Sequence, residues 1–152
     1  MNKPIKRHES LQSLSRDHHQ ALLLCWKINK GFSKEIDIVR MKRYADWFYK
    51  NHLVPHFQLE ESHIFPILGN DHELVKKAIS EHRQLEALFT NSVDVKNSLL
   101  EIETALEQHV RFEERILFNA IQEIATPEQL QMINQVHHEE KFCENDVDPF
   151  WL

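Results

Sequence analysis

Two segments of the sequence repeat one arrangement of ionisable side chains inside an apolar run. The segments HFQLEESHIFPIL and HVRFEERILFNAI each place a His four residues before a Glu, as His56 and Glu60 in the first and His109 and Glu113 in the second. Positions i and i+4 of an α-helix lie on the same face. Each His is therefore predicted to share a helix face with its Glu, and imidazole nitrogen and carboxylate oxygen are ligands that suit iron, manganese or zinc.

Two more His residues stand on predicted apolar helix faces. His18 has Leu14 and Leu22 one turn away on either side, and His82 is followed by Leu85 three residues later. Four predicted helices thus each direct one His toward the interior, and two of them add a Glu. The chain contains 11 His residues, so these four are selected by their apolar surroundings rather than by their abundance.

Side chains of this kind cannot lie in a dry interior without partners. A buried polar group without a partner costs roughly 2–7 kcal/mol, and an isolated carboxylate costs far more. Two metal ions would satisfy all of them, with two His per metal and both carboxylates bridging. The scarcity of Cys argues against copper(I) and iron–sulfur clusters. The predicted metal ligands are His18, His56, Glu60, His82, His109 and Glu113.

Adjacent residues offer competing choices for three of these positions. We favour His18 over His19, because the residue eight positions later is aromatic for the first and a charged lysine for the second. In each Glu-Glu pair we favour the first carboxylate, because it shares its helix face with the preceding His. The second carboxylate of each pair is expected to be solvated; the two pairs are Glu60-Glu61 and Glu113-Glu114.

Other ionisable residues are expected outside the ligand set or at its edge. Glu86 stands one turn after His82, where it could bind metal, accept a hydrogen bond from a ligand His, or face solvent. His52 has ligand spacing to His56 but precedes Pro55, so we predict that it does not bind. The remaining His residues are expected at the surface, against a ligand His, or over the end of the helices; they are His8, His63, His72, His137 and His138.

The composition favours long helices, since the chain has only two Gly and five Pro. The apolar period predicts a first helix that stops at Gly31 and a second over 36–68 with a kink or break at Pro55. A third helix is predicted over 71–91, after a stop at Gly69, and a fourth over 95–125. A capping sequence at Thr126 starts a fifth helix that is predicted to end near Lys141, and the aromatic tail is expected to pack or to remain loose.

Four long helices with short connections predict an all-α, up-and-down four-helix bundle with a short additional C-terminal helix. No linker divides the chain, so residues 1–152 are expected to form a single domain. The net charge of -6 and the absence of a basic stripe argue against nucleic-acid binding. No apolar stretch is long enough to span a membrane, the charged N-terminus lacks the features of a signal peptide, and two isolated Cys fit a reducing cytoplasm.

The sequence resembles the hemerythrin-like, or HHE, cation-binding family. The resemblance rests on LSRDHHQAL, HFQLEESHIFPIL, EHRQLEAL and HVRFEERILF, one on each of the four predicted helices, and spans residues 10–125. It implies a non-haem di-iron centre with an oxo or hydroxo bridge, held by the six predicted ligands. It also implies chemistry with O2 or related small molecules.

Two features depart from the oxygen-carrying hemerythrins. Where they carry HxxxH on the third helix, this chain has Glu86 four residues after His82. Where they carry an Asp five residues after the fourth-helix His, this chain has Glu113 at four and Glu114 at five. Both departures resemble HHE members linked to iron handling and nitrosative-stress repair.

The sequence therefore predicts a cytoplasmic di-iron protein that binds O2, nitric oxide or peroxide, for sensing, storage or detoxification. Manganese or zinc could replace iron in such a ligand set. The alternative is an iron donor or repair protein for iron–sulfur centres. The prediction concerns ligand binding and leaves open whether the protein is an enzyme and what its oligomeric state is.

Overall fold

The computed structural model describes residues 6–137 and 142–152. These residues form helices and no strand, so the predicted all-α class is confirmed. None of the described helices combines the length and hydropathy needed to cross a bilayer. The α-helices are α1 (Glu9–Ser33), α2 (Ile38–Phe48), α3 (Val54–Leu59), α4 (Glu73–Thr90), α5 (Val95–Phe112), α6 (Phe118–Ile124) and α7 (Pro127–Val136).

Wide π-helical turns join some of these helices into two longer rods. The second rod, residues 38–67, contains π turns at Tyr49–Leu53 and Glu60–Ile64 and ends in a 3₁₀ turn at Phe65–Ile67. The fourth rod, residues 95–124, contains one π turn at Glu113–Leu117. We number α1 and α4 as the first and third rods.

The second rod remains helical through Pro55, so of the predicted kink or break, the break does not occur. The N–H of Val54 bonds to the carbonyl of Tyr49, five residues back, which widens the turn before the proline. Pro55 then lies in the first turn of α3, where a missing N–H is tolerated.

The first rod ends two residues later than predicted. Gly31 lies inside α1, and a Cβ at this position would come within 2.8 Å of the Met41 side chain and 2.9 Å of the Phe150 ring. Glycine is therefore required here for close packing, and the chain instead turns after Ser33, where Glu35 adopts a φ of 57°. The predicted stop at Gly69 is confirmed, with a φ of 98°.

Local capping explains where the last helix starts. The Thr126 hydroxyl accepts from the N–H of Gln129, whose side chain accepts in turn from the N–H of Thr126, so the predicted cap is confirmed. The helix ends at Val136 rather than near Lys141, because His137 leaves the helical conformation. The predictions for His138 and for a helix over 138–141 concern residues outside the described ranges.

Two apolar clusters lie on either side of a layer of buried polar side chains. One cluster contains Leu11 and Leu14 of the first rod, and the other contains Ala21 and Leu24 of the same rod, with His18 between them. The other three rods show the same division, and where residues of one cluster give way to those of the other they carry His56 and Glu60, His82, and His109 and Glu113, in that order. The order of the clusters along the chain reverses from each rod to the next.

The C-terminal tail packs against the first and second rods. Phe150 is 2% exposed and lies against Tyr44, with the ring centroids 5.8 Å apart. Asp148 accepts two hydrogen bonds from Arg40, and Glu144 accepts one from the buried Lys27. The tail is therefore part of the packed structure, which is the first of the two alternatives left open by the sequence.

Candidate metal centre

The six predicted ligands lie together in the polar layer, and each is at most 5% exposed. They form two overlapping groups, and within each group the potential ligand atoms all lie within 4.8 Å of one another. Glu60 and Glu113 belong to both groups. The first group adds His18 and His56, and the second adds His82 and His109.

Each buried carboxylate lies between His residues of both groups. Oε1 of Glu60 lies 3.2 Å from Nε2 of His56 and 3.2 Å from Nε2 of His82. Oε1 of Glu113 lies 3.1 Å from Nε2 of His18 and 3.0 Å from Nε2 of His109. Each of the two carboxylates is therefore within reach of His residues from both groups.

The inward-facing atoms are poorly satisfied by the protein itself. Among the described residues, both oxygens of Glu60, Oε2 of Glu113 and Nε2 of His82 and His109 are buried and have no hydrogen-bond partner. Such a cluster is costly in a dry interior, and cations coordinated by these atoms would remove the cost. The donor set of imidazole nitrogen and carboxylate oxygen fits iron, manganese or zinc.

The outward-facing nitrogen of every one of these His residues meets a carboxylate. The Nδ1 atoms of His18, His82 and His109 each lie 2.8 Å from a Glu oxygen, and that of His56 lies 3.0 Å from Asp17. A carboxylate only accepts, so Nδ1 carries the proton in each of these contacts. Nε2 faces inward, where its lone pair would be available to a bound cation, as metal-binding His require. The pairs are His18 with Glu114, His56 with Asp17, His82 with Glu61, and His109 with Glu81.

Sequence reasoning missed these four outer carboxylates. Glu61 and Glu114 were expected to be solvated, but their side chains are only 22% and 26% exposed because each bonds to a buried His. A signal was present, since each outer acid is adjacent in sequence to a predicted ligand. The other two are Asp17, before His18, and Glu81, before His82.

The remaining candidates lie outside the two groups. His19 is exposed, whereas its neighbour His18 is 4% exposed. Glu86 lies 2.5 Å from Arg83 rather than next to a ligand His. His52 packs against Phe142, with the ring centroids 4.7 Å apart.

His137, expected to face solvent or cover the end of the helices, reaches Asp17, with 3.3 Å between Nε2 and Oδ2. Asp17 also accepts from His56, so His137 lies one residue removed from the candidate ligands.

Aromatic rings that belong to the apolar clusters stack on the imidazoles of the polar layer. Phe57 stacks on His82 with 3.9 Å between ring centroids, and Phe118 stacks on His18 at 5.3 Å. A cavity reaches the same layer and is lined by His18, His56 and His109 together with apolar side chains that include Phe48 and Phe142.

The electrostatics of the site favour positive charge. Burial lowers the pKa of His109, but the charge of Glu113 and the hydrogen bond to Glu81 outweigh it and raise the pKa to about 10. Burial raises the pKa of Glu113, but the adjacent His residues hold it well below its usual value. Nearby carboxylates likewise outweigh burial and raise the pKa of the other three His residues, which are His18, His56 and His82. Protons and cations would therefore compete for the same nitrogens.

A family model described as hemerythrin HHE cation binding domain matches residues 9–94. That range is more than half of the chain and includes His18, His56, Glu60 and His82. The chain belongs to the hemerythrin HHE cation-binding domain family.

The HHE match ends before the fourth rod, although the sequence resemblance was expected to extend to residue 125. The geometry alone therefore places His109 and Glu113 beside the four candidate ligands that the match includes. No curated protein and no solved structure matches the chain. Cation binding is thus the activity that the family implies for this HHE protein.

Proposed function

We propose that this HHE protein holds two iron ions in its polar layer and binds O2, nitric oxide or peroxide there. His18 and His56 would bind one ion, and His82 and His109 the other. Glu60 and Glu113 would bridge the two ions. The observation that carries the proposal is the position of each buried carboxylate, which lies within about 3 Å of a His from both groups.

Four His and two carboxylates leave coordination positions on a pair of ions for an exogenous ligand. A bound iron pair would supply these positions and the electrons needed to hold O2 or a related molecule. The cavity beside His18, His56 and His109 supports entry of a small ligand. The apolar part of its lining and the stacked phenylalanines would limit the access of bulk water to the ions.

We also propose that the four rods form an up-and-down bundle within a single domain. The reversal of cluster order from rod to rod supports this arrangement, because neighbouring rods of such a bundle run in opposite directions. The second and fourth rods would then present their repeated His-x-x-x-Glu segments at the same depth. The cytoplasmic location expected from the sequence remains a prediction.

The test is a titration of the purified full-length protein with ferrous iron in the absence of air, followed by exposure to O2. We expect uptake of two iron equivalents and, with O2, an oxo-to-iron charge-transfer absorption band. A band that bleaches reversibly under vacuum would indicate carriage or sensing, and irreversible oxidation would indicate detoxification. A protein that takes up no iron would contradict the proposal.

A matched pair of variants links the iron to the proposed ligands. His109→Ala should lower the iron-to-protein ratio below two, because it removes one of the two imidazoles from an ion. The control His19→Ala removes an exposed His and should retain both equivalents. Two full equivalents in His109→Ala would show that the ligand assignment is wrong.

Iron donation to iron–sulfur centres, the alternative from the sequence, would need a labile site and a docking surface, and its supports were Glu86 and the acidic surface. Glu86 contacts Arg83 and belongs to neither candidate metal group. Binding of a small ligand is therefore the function we propose, and donation stays an alternative prediction.

A further inference from the structure

We propose that Asp17, Glu61, Glu81 and Glu114 form a closed ring of positioning carboxylates, in which each rod orients the metal-binding His of the next. The inference rests on the proposed function, because it assigns these residues a role toward the two ions. It concerns residues that do not themselves touch the ions.

The ring is defined by which rod supplies each partner. Asp17 of the first rod accepts from His56 of the second, at 3.0 Å. Glu61 of the second rod accepts from His82 of the third, at 2.8 Å.

The same direction continues around the other two rods. Glu81 of the third rod accepts from His109 of the fourth, at 2.8 Å. Glu114 of the fourth rod accepts from His18 of the first, also at 2.8 Å, which closes the ring. No candidate ligand His is held by an outer carboxylate of its own rod, so the orientation of each imidazole depends on its neighbour.

The local sequence explains how one rod can both supply a candidate metal ligand and orient the ligand His of the next rod. Successive residues of a helix point about 100° apart, so a residue adjacent to an inward-facing ligand points toward a neighbouring rod. Asp17 and Glu81 precede a ligand His, and Glu61 and Glu114 follow a bridging Glu. The last two lie in π turns, which frequently mark functional sites.

A second partner holds each outer carboxylate, and for three of them that partner is an Arg or a Lys. Arg83 bonds to the other oxygen of Glu61, and Lys77 lies 3.0 Å from the other oxygen of Glu81. Arg7 lies 3.2 Å from the free oxygen of Glu114.

The fourth carboxylate is held in a similar way. Nε2 of His137 lies 3.3 Å from Asp17, on the oxygen that also meets His56. Three ring carboxylates are therefore held through both oxygens, and Asp17 is held by two His residues through one oxygen. Such contacts are expected of groups that set the orientation of a ligand rather than of solvated surface acids.

The ring divides into halves that correspond to the two proposed ions. Glu61 and Glu81 hold His82 and His109, the pair assigned to one ion. Asp17 and Glu114 hold the pair assigned to the other. Removal of one carboxylate should therefore weaken the binding of one ion and not of the other. Removal of either of the two carboxylates in one half should weaken binding of the same ion.

The test is a zinc titration of the full-length protein and of Glu81→Ala, with a competing chelator to measure both affinities. Loss of a hydrogen bond to a ligand His lowers metal affinity by about 10–100-fold. We expect that loss for one zinc equivalent in Glu81→Ala, with the other equivalent changed much less. Glu61→Ala should weaken the same equivalent.

The matched control is Glu73→Ala, on the same rod, which removes an exposed acid that pairs with Lys76 and contacts no ring residue. It should bind both equivalents as the unmodified protein does. Glu81→Gln keeps an oxygen that accepts from His109, so it should lose less affinity than Glu81→Ala. This isosteric variant also supplies the comparison if the alanine variant does not fold.

Nitrogen-15 NMR of His-labelled, zinc-loaded protein gives a second readout that general destabilisation would not produce. Each zinc-bound His should show a slowly exchanging Nδ1 proton, and Glu81→Ala should lose that of His109 alone.

The outcomes separate the two proposals. Unchanged affinities and an unchanged His109 signal in both Glu81 variants would overturn the ring and leave the metal site intact. Equal weakening of both equivalents would overturn the division into halves. Failure of the unmodified protein to bind any zinc or iron would refute the proposed function and the ring with it.

Discussion

Two fully buried carboxylates lie among the four buried imidazoles of this protein. Glu60 and Glu113 are fully buried, and the four imidazoles around them are the only close source of compensating charge that the described residues provide. Without a cation, that compensation requires protonated imidazoles. With a cation, the imidazoles must be neutral, so the same residues respond to pH in opposite ways in the two forms.

The protein stripped of metal with a chelator should become less stable as the pH rises from 6.5 to 10. The His109 pKa is raised from 6.5 to about 10, so its contribution to the free energy of unfolding is complete below 6.5 and is lost as the pH rises toward 10. The raised pKa values of His18, His56 and His82 act in the same direction. The urea midpoint measured across this range checks the prediction.

The metal-loaded protein provides the comparison. Metal binding releases protons from the ligand His residues, so a higher pH favours it. The difference in urea midpoint between metal-loaded and stripped protein should therefore grow over the same pH range. A stripped protein with a constant or rising midpoint would contradict the account of the buried charges.

The predictability of the site differs between its inner and outer residues. The helical period selected His18, His56, Glu60, His82, His109 and Glu113, because burial on an apolar face is encoded within each segment, and the structure brings all six together. The outer carboxylates depend on which rod lies beside which, and no single segment encodes that relation. Adjacency to a ligand was the available signal, but most charged helical residues beside buried ones are solvated.

At the scale of single elements, the rods depart from the regular α-helix at their π turns. Two of the three π turns begin at the buried residues Glu60 and Glu113. A period of 3.6 residues describes the apolar face on either side of such a turn, so the sequence predicted the rods but not the turns. Gly31 was read as a helix stop because glycine is frequent there, whereas its role is to let the second rod and the tail approach.

Gly31→Ala should destabilise the protein by about 1–3 kcal/mol, the usual cost of an added methyl in a filled space. The new Cβ would come 2.8 Å from Met41 and 2.9 Å from the Phe150 ring, so both side chains must move. Equilibrium unfolding in urea measures the effect. Lys30→Ala, at an exposed position of the same helix, should change the midpoint little, and an equally stable Gly31→Ala would show that the close contact is unimportant.

At the scale of the whole molecule, two apolar clusters enclose one polar layer. One cluster extends into the C-terminal tail through Phe150, and the other includes Ile133 of α7. The sequence predicted the helices that carry these clusters. It did not decide whether the tail packs, because the tail residues have no helical or strand period. Docking of the tail depends on distant partners, of which Arg40 and Tyr44 are two.

Phe150→Ala should lower the free energy of unfolding by about 3–5 kcal/mol, the range for removing a buried aromatic ring. Metal stoichiometry under native conditions should remain unchanged, because the ring contacts Tyr44 and Trp151 rather than the polar layer. Urea unfolding and metal analysis of the same preparation check both parts. Val147→Ala, at a tail position that is 87% exposed, is the control, and loss of metal from folded Phe150→Ala would contradict the separation of cluster and site.

Anomalous X-ray diffraction from crystals grown with ferrous salt tests the central claim most directly. The account predicts two iron peaks, one between His18 and His56 and the other between His82 and His109, with Glu60 and Glu113 each reaching both. An interior without iron, with those imidazoles turned away from the two carboxylates, would contradict it.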